Sequence, residues 1–329
     1  MPSSSAGAAR AFVYHRVAAE DVLPEREPKT VDVAILDMNH GWPNVGHDCV
    51  VESLRHAAAE LPDEISLRVI SFDVRRTLRL PAPDDDRFAL YIGTGGPGHP
   101  DPRWNDGLAE LSQGVAESPA WESPLFRLFD AIAKRDDAAL LAVCHTFGLM
   151  CRWLKVAVPV PRGPEKGGKS EGVRDNLLTD AAREHPWFAA LADRLPPDGR
   201  LRVLDSRLFD LIPNDAAARK VKIIGVEALG VDGPAGNAMT MMEVARDPSG
   251  SMPRIFGVNH HPEIVDRTNL LAMLDEKLHR GDISRDWYEQ RVRTLSAHFP
   301  DDTHDRDLRT TSEFTFLGPL RFHVLRAAR

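Results

Sequence analysis

The apolar residues of this chain occur in short runs that alternate with amphipathic stretches. Nearly continuous apolar runs are typical of strands buried on both faces of a parallel sheet, and apolar residues three and four apart indicate helices. In the first half, strands are predicted at 31–37, 65–73, 88–94 and 139–145. Helices are predicted at 47–60, 105–116 and 122–135. This alternation predicts an α/β fold with a central, mainly parallel sheet.

The second half begins with a segment rich in proline, glycine and charge at 156–172, which we expect to form loop and edge strand. Further strands are predicted at 201–213, 220–229, 238–245 and 254–264, and a helical pattern begins at 267. The resulting division is a flexible leader at 1–30, a catalytic domain at 31–266 and a helical C-terminal extension at 267–329. Trp287, Tyr288 and Phe299 in that extension are expected either to cap a site or to form an interface.

Composition narrows the classes of function. The 329 residues include 41 basic and 49 acidic side chains, a net charge of −8, so neither nucleic acid nor a membrane surface is expected as a partner. No apolar stretch approaches the roughly 20 residues of a membrane span. The three cysteines are expected to be reduced thiols in a cytoplasmic protein, since three cannot all pair. No close Cys and His pairs suggest a metal site, and no cofactor is expected.

One of these cysteines lies at a junction of elements. Cys144 follows the apolar run "LLAV" and precedes a helical pattern. A buried structural cysteine would be equally suited to mid-strand, whereas a nucleophile gains from the amides and positive dipole of a helix N-terminus. The position therefore favours a catalytic thiol.

Two further segments supply partners for such a thiol. In "VNHHPE", His261 and Glu263 are two residues apart after a strand, and if the chain there is extended, Glu263 can orient the His261 ring as a base. In "TGGPG", Gly95 and Gly96 leave backbone amides unshielded, as an oxyanion hole requires. Strand ends of like direction meet at one edge of a parallel sheet, so these segments are expected to converge.

Taken together, "TGGPG" (94–98), "LAVCHTFGL" (141–149) and "FGVNHHPE" (256–263) resemble the class I glutamine amidotransferase family in their order and spacing. The resemblance covers roughly residues 31–266 and implies a three-layer, flavodoxin-like fold. It implies that Cys144 attacks a γ-carboxamide, with His261 as acid and base and Glu263 orienting it. A γ-glutamyl thioester would form, and the oxyanion would lie on the amides of Gly96 and His145.

The resemblance also implies a substrate pocket and partners. Gly148 and the segment containing Ser170 and Glu171 are expected to border the bound substrate, a small amide such as glutamine or another γ-glutamyl compound. Released ammonia would pass to a separate synthetase, because the chain has no room for a synthetase domain. A homodimer through the C-terminal helices is a further expectation.

Several residues depart from the family's pattern, including Ala142 and the pair Asn259 and His260. Thr146 stands where the family has glycine, and Gly148 stands where it has glutamine. These departures favour a second interpretation, hydrolysis of a γ-glutamyl or other amide without use of glutamine. A third interpretation is a catalytically silent binding protein on the same fold.

A competing motif is "GPEKGGKS" at 163–170, which fits the pattern of a nucleotide-binding P-loop. A P-loop follows a buried strand and opens a helix, so that helix amides bind phosphate. The two prolines in the preceding "VAVPVPR" disfavour a central strand there. The amidotransferase-like interpretation is therefore preferred.

Overall fold

A computed structural model describes residues 12–166, 168–196, 199–230, 233–265, 267–281, 283–298 and 302–329. The strands are β1 (Phe12–Val17), β2 (Thr30–Asp37), β3 (Ser66–Asp73), β4 (Phe88–Gly93), β5 (Ala139–Val143), β6 (Ala157–Pro161), β7 (Ser170–Leu178), β8 (Arg200–Arg207), β9 (Phe209–Pro213), β10 (Lys222–Ala228), β11 (Ala235–Arg246) and β12 (Pro253–Val258). The helices are α1 (Val45–Ala58), α2 (Val74–Thr77), α3 (Glu122–Ala133), α4 (His145–Leu154), α5 (Asp180–Arg183), α6 (Ala189–Ala192), α7 (Ala217–Lys220), α8 (Arg267–Arg280), α9 (Arg285–His298), α10 (Asp302–Ser312) and α11 (Gly318–Ala327). A π-helical turn, Glu313–Leu317, joins α10 to α11.

The main sheet has ten strands in the order β1-β3-β2-β4-β5-β12-β11-β10-β7-β8. Strands from β1 to β12 in this order are parallel, and the remaining pairings are antiparallel. Within the parallel part, β3-β2-β4-β5-β12 reproduces the 2-1-3-4-5 order of flavodoxin-like folds. The chain reverses direction of winding between β2 and β4, and in such sheets ligands bind at the carboxyl ends of the strands at that point. The predicted α/β class is confirmed.

Two apolar layers enclose the sheet. Buried side chains of α3 and α4, such as Phe129 and Phe147, pack on one face. Side chains of α1, the segment around Phe188 and the C-terminal helix pack on the other face. The strands are therefore buried on both sides, which explains why their sequences read as continuous apolar runs.

The helices expected beyond residue 267 are present, and the last of them contributes to the core of the sheet. Phe316, Leu320 and Val324 of the π-helical turn and α11 belong to the same buried cluster as the residues of α1 and β2. The C-terminal extension is thus not a separate appendage, because its end completes one of the layers that cover the sheet. No helix in the described ranges combines the length and apolar content that crossing a membrane requires.

The helix expected at 105–116 is not formed, which corrects the sequence interpretation. The segment contains turns and one 3-10 turn, Glu110–Ser112, and Gly107 and Gly114 adopt φ values of +76° and +79°. The Asp106 carboxylate accepts hydrogen bonds from the amides of Leu108 and Ala109, which competes with helix formation. The helical spacing of apolar residues was therefore outweighed by local turn chemistry.

The expected flexible leader at 1–30 also differs from the structure. Residues 12–17 form β1, which pairs in parallel with β3 along the edge of the main sheet. The stretch "FVYHRV" is rich in β-branched and aromatic residues, a composition typical of strands. The first part of the expected leader, residues 1–11, lies outside the described residues.

A strand predicted at 201–213 is divided in two. β8 ends at Arg207 and pairs with β7 in the main sheet, whereas β9 pairs with β6 in a separate two-stranded sheet. This change of sheet places residues 204–209 at the edge where the parallel strands end, a consequence that apolar patterning alone does not show.

A buried histidine in α11 gives the fold a defined acid sensitivity. His323 is 1% exposed and its Nε2 contacts the Pro253 carbonyl at 2.8 Å. Burial lowers its pKa to about 4, whereas an exposed histidine titrates near about 6.5. Between these values the unfolded chain binds a proton that the folded chain does not, so the free energy of unfolding decreases as the pH falls from about 6.5 to about 4.

We expect His323→Gln to remove up to about 1.4 kcal/mol per pH unit from that pH dependence. Denaturant unfolding of wild type and variant at several pH values between about 4 and about 7 measures the two slopes. The comparison is between slopes, since the substitution also alters stability at every pH. Equal slopes would show that His323 is not the group that takes up the proton.

Candidate active site

Cys144 lies at a sharp turn between β5 and α4. Its backbone has φ +47° and ψ −99°, a conformation that residues with a side chain rarely adopt. The Cys144 amide donates to the Val258 carbonyl of β12 at 2.8 Å, and its carbonyl accepts from the Gly148 amide at 3.1 Å. The turn is therefore fixed at both ends, and it presents the thiol at the carboxyl edge of the sheet.

The structure shows how threonine fits at this elbow. Thr146 is fully buried, and its hydroxyl donates to the Thr94 carbonyl at 2.8 Å. A Cβ atom on Gly93 would lie 2.2 Å from the Thr146 side chain, so the absence of a side chain on β4 provides the space. The elbow thus has threonine in place of the expected glycine, and Gly93 in the neighbouring strand leaves the space that the threonine needs.

His261 and Glu263 are brought together with Cys144. The His261 ring and the Cys144 side chain both lie against Gly95, and His261 Nδ1 donates to Glu263 Oε1 at 2.9 Å. The connection is a turn, closed by the Ile264 amide on the His261 carbonyl at 3.3 Å, and not the extended chain expected from the sequence. Pro262 at the second position of this turn explains the difference, since its fixed φ suits a turn.

The surroundings of His261 and of the two other cysteines, Cys49 and Cys151, shift the pKa values of these groups. Burial lowers the pKa of His261, but the charges of Glu263 and Cys144 outweigh burial and hold that pKa well above its usual value. Its surroundings therefore favour the protonated form of the ring. Burial raises the pKa of both Cys49 and Cys151, which makes those thiols poor nucleophiles.

The carboxylate of Glu263 lies at the N-terminus of α1. A Cβ atom on Gly46, the second residue of α1, would lie 2.6 Å from Glu263 Oε1. The positive end of a helix dipole stabilises a carboxylate in this position. Gly46 therefore belongs to the site, although nothing in the sequence near His261 indicates it.

We expect Gly46→Ala to reduce catalysis with little effect on folding. The new methyl group would push Glu263 Oε1, the end of a flexible side chain, away from His261 Nδ1, and alanine is otherwise favoured inside a helix. The expected result is a fall in kcat of about 10-fold or more, with an unchanged thermal transition. Steady-state kinetics and thermal unfolding of the same preparation separate the two effects, and an unaltered kcat would show that the contact does not position Glu263.

The glycine loop after β4 packs directly against Cys144 and His261. A Cβ atom on Gly95 would lie 2.8 Å from His261 Cε1 and 3.5 Å from Cys144 Cβ. A Cβ atom on Gly96 would lie 2.2 Å from the Met38 carbonyl oxygen. Both positions thus exclude side chains because of close packing.

A buried arginine holds this loop in place. Arg75 donates to the carbonyl oxygens of Pro97 and Met38 at 2.7 and 2.8 Å, and it pairs with Glu117 at 2.6 Å. Charge-assisted bonds of this kind are strong where water is excluded. Arg75 was not predicted, because a lone arginine after a strand carries no motif.

These residues line a cavity of about 520 Å³ at the carboxyl edge of the sheet. Cys144, His261, Gly95, Gly96 and His145 all contribute to its wall. Burial lowers the pKa of His145 well below its usual value, which favours a neutral ring at this position. Cavities of this size hold ligands larger than a single amino acid.

Of the remaining predicted site residues, some line the cavity and one supports a residue that lines it. Gly148 lines the cavity, and a Cβ atom there would lie 3.0 Å from Pro100. Glu171 also lines the cavity and pairs with Lys169 at 2.8 Å. Ser170 is buried and its hydroxyl donates to Asp205 Oδ2 at 2.6 Å, so its hydroxyl supports the site instead of contacting substrate.

Three polar side chains of the wall were not predicted. Asp205, Asn39 and Asn259 line the cavity and are almost fully buried. Asp205 Oδ1 and the amide nitrogens of Asn39 and Asn259 have no hydrogen-bond partner among the described residues. Buried polar atoms are normally paired, so these three are positioned to meet a polar ligand. The sequence signal was slight, since Asn39 and Asn259 follow β2 and β12 and Asp205 lies near the end of β8.

Helices of the C-terminal extension close the outer side of the cavity. Leu270 of α8 and Trp287 and Arg291 of α9 line it. Lys277 of α8 pairs with Asp48 of α1 at 2.7 Å, which ties this part of the extension to the catalytic edge. Trp287 thus caps the site, one of the two roles considered for it, whereas Phe299 lies outside the described residues.

The P-loop alternative is not supported by the local structure. Pro164–Lys166 forms a single 3-10 turn, and the segment from Ser170 continues as strand β7. A phosphate-binding loop requires a helix at this point. The described residues also contain no cluster of three or more His, Cys, Asp or Glu side chains placed to hold a metal ion.

The fold and the site together define an α/β protein of flavodoxin-like strand order with a cysteine at the sharp turn between β5 and α4. No protein-family model matches the chain, and no curated protein is similar to it in sequence. A solved structure described as a GMP synthase subunit from Thermoplasma acidophilum aligns over 71% of this chain and 85% of its own, with 11% identity and a TM-score of 0.44. A ThuA-like protein from Bacteroides uniformis aligns over 77% of this chain and 91% of its own, with 10% identity and a TM-score of 0.39. Similarities this low carry no functional information, so the function is inferred from this chain's own residues.

Proposed function

We propose that the protein is a class I glutamine amidotransferase-like cysteine hydrolase that cleaves a γ-glutamyl amide through a thioester on Cys144. The observation that carries the proposal is the strained elbow of Cys144 in contact with a His261 ring that Glu263 orients. A nucleophile, a base and an orienting carboxylate are the minimum set for acyl transfer of this kind. Cys144 and His261 in the cavity wall, with Glu263 bound to His261 behind it, argue against a silent binding protein.

The proposed reaction has two steps. The Cys144 sulfur attacks the γ-carbonyl carbon, and the carbon–nitrogen bond breaks as protonated His261 gives its proton to the departing amine. Water then attacks the thioester carbon as His261 accepts a proton from it, the carbon–sulfur bond breaks, and the γ-carboxyl product leaves with regeneration of the Cys144 thiolate beside protonated His261. Glu263 keeps the ring in the required orientation throughout.

The oxyanion of each step is proposed to lie on the amides of Gly96 and His145. His145 is the first residue of α4, where a backbone N–H has no acceptor within the helix. The Gly96 N–H has no hydrogen-bond partner among the described residues. Amides held in this way stabilise a developing negative charge without reorganisation.

The polar wall suits a glutamyl group. An α-amino acid end has an ammonium group that needs an acceptor and a carboxylate that needs donors. Asp205 Oδ1 offers the first, and the amide nitrogens of Asn39 and Asn259 offer the second. We therefore expect the glutamyl half of the substrate to lie along the strand ends around Cys144.

The proposal is tested by incubating the protein with glutamine and with γ-glutamyl-p-nitroanilide and measuring release of glutamate. We expect release from at least one of them, lost in His261→Asn. Release from glutamine that rises on addition of a synthetase would identify an ammonia donor, and release from the anilide alone would identify a hydrolase of larger γ-glutamyl amides. Equal rates for wild type and His261→Asn would contradict the proposed mechanism.

A further inference from the structure

The wall contributed by the C-terminal extension differs in chemistry from the rest of the cavity. The strand ends around Cys144 present amides and a carboxylate, whereas α8 and α9 present Leu270 and the Trp287 ring. Leu270 is buried against Leu204 of β8 in one apolar cluster, with Trp287 packed on it. This side of the cavity is therefore suited to an apolar group.

The side chain of Arg291 brings a positive charge to this apolar wall. The Arg291 guanidinium lies over the Trp287 ring, 5.1 Å from its centroid, and it lines the cavity. Burial lowers the pKa of Arg291, and the charge of Glu171 offsets this only in part. Glu171 itself pairs with Lys169 at 2.8 Å.

The Arg291 guanidinium faces the cavity, where its donors can form a charge-assisted pair with a negatively charged group of a ligand. The cavity of about 520 Å³ leaves space for more than a glutamyl group, and the glutamyl half is accounted for by the polar strand ends. The group that reaches α9 would then be the amine half of the substrate.

Resting on the function proposed above, we infer that Trp287 and Arg291 recognise the amine half of the substrate, an apolar amine that carries a carboxylate. The substrate class is thus a γ-glutamyl conjugate of an apolar or aromatic amino acid. Its side chain packs on Trp287 and Leu270, and its carboxylate pairs with Arg291.

Two ligands that differ only in that carboxylate test the inference, γ-glutamylphenylalanine and γ-glutamylphenethylamine. Their binding is measured by calorimetry to Cys144→Ala protein, which cannot consume them, with and without Arg291→Gln. Arg293→Gln is the matched control, because Arg293 is an exposed arginine of the same helix that pairs with Glu289 at 3.8 Å. We expect Cys144→Ala protein to prefer the acid by about 10- to 100-fold, the range for a charge-assisted pair. We expect Arg291→Gln to abolish that preference and Arg293→Gln to keep it.

The outcomes separate this inference from the proposed function. A preference that survives Arg291→Gln, equal weakening of both ligands, or binding of neither ligand would overturn the role given to Arg291. Turnover of the pair by wild-type protein is measured alongside. An Arg291-dependent preference without any turnover would refute hydrolysis and leave the recognition of the carboxylate standing.

Discussion

Replacing Cys144 with alanine is expected to reduce hydrolysis of a γ-glutamyl amide by about four to six orders of magnitude, since nothing else in the site can form the acyl bond. The cavity and the His261–Glu263 contact do not depend on the sulfur atom, so substrate binding is expected to remain. Steady-state assays of glutamate release, with calorimetric binding on the same sample, measure both effects. Cys49→Ala is the matched control, because that thiol is outside the cavity wall and its pKa is raised by burial.

Substitutions of Cys144 also measure the backbone strain at the turn between β5 and α4. With φ at +47°, Cys144 occupies a conformation in which any side chain is disfavoured. Cys144→Gly should therefore be more stable to unfolding than Cys144→Ala by about 1 kcal/mol, while both are inactive. Residual activity of Cys144→Ala above about one part in a hundred, or a comparable loss in Cys49→Ala, would contradict the assignment of the nucleophile.

Gly95→Ala is expected to lower kcat/KM by about 100-fold or more with the fold retained. Its backbone φ is not positive, so alanine is allowed there, but the methyl group would lie 2.8 Å from His261 Cε1. The ring would have to rotate away from Cys144 and Glu263, and misplacement of a catalytic group by about 1 Å can cost about 100-fold. Kinetics together with circular dichroism and thermal unfolding provide the measurement.

The adjacent glycine supplies a contrast for this prediction. A methyl group on Gly96 would lie 2.2 Å from the Met38 carbonyl oxygen, and backbone yields less readily than a side chain. Gly96→Ala is therefore expected to lower the thermal stability as well as the activity. If Gly95→Ala kept full activity, the packing of this loop against His261 could not be a requirement of the site.

The parts of the fold that could be predicted were those that local sequence dictates. Buried strands such as β2 and β4 have continuous apolar runs, and the junction at Cys144 is marked by a change of period. The prediction of a helix at 105–116 was wrong. The apolar residues have helical spacing, but the turn at Asp106 and two glycines at positive φ prevent a helix there. A six-residue edge strand such as β1 was missed because it is too short to show a period.

The residues of the candidate site could likewise be predicted only where a local motif contains them. Cys144, His261 and Glu263 were predicted because motifs carry them, and the structure places them in contact. Gly46 was missed because its contact with Glu263 joins segments that lie far apart in the sequence. Patterns within one segment cannot reveal such contacts.

The most direct test of the central claim is mass spectrometry of the intact protein after treatment with a diazo-ketone analogue of glutamine. We expect one adduct on wild-type protein, absent in Cys144→Ala, retained in Cys49→Ala and suppressed by excess γ-glutamyl amide. That result would establish a reactive Cys144 in a pocket that recognises the glutamyl group. An unmodified protein, or an adduct that persists in Cys144→Ala, would contradict the claim that Cys144 is the nucleophile of a γ-glutamyl amide hydrolase.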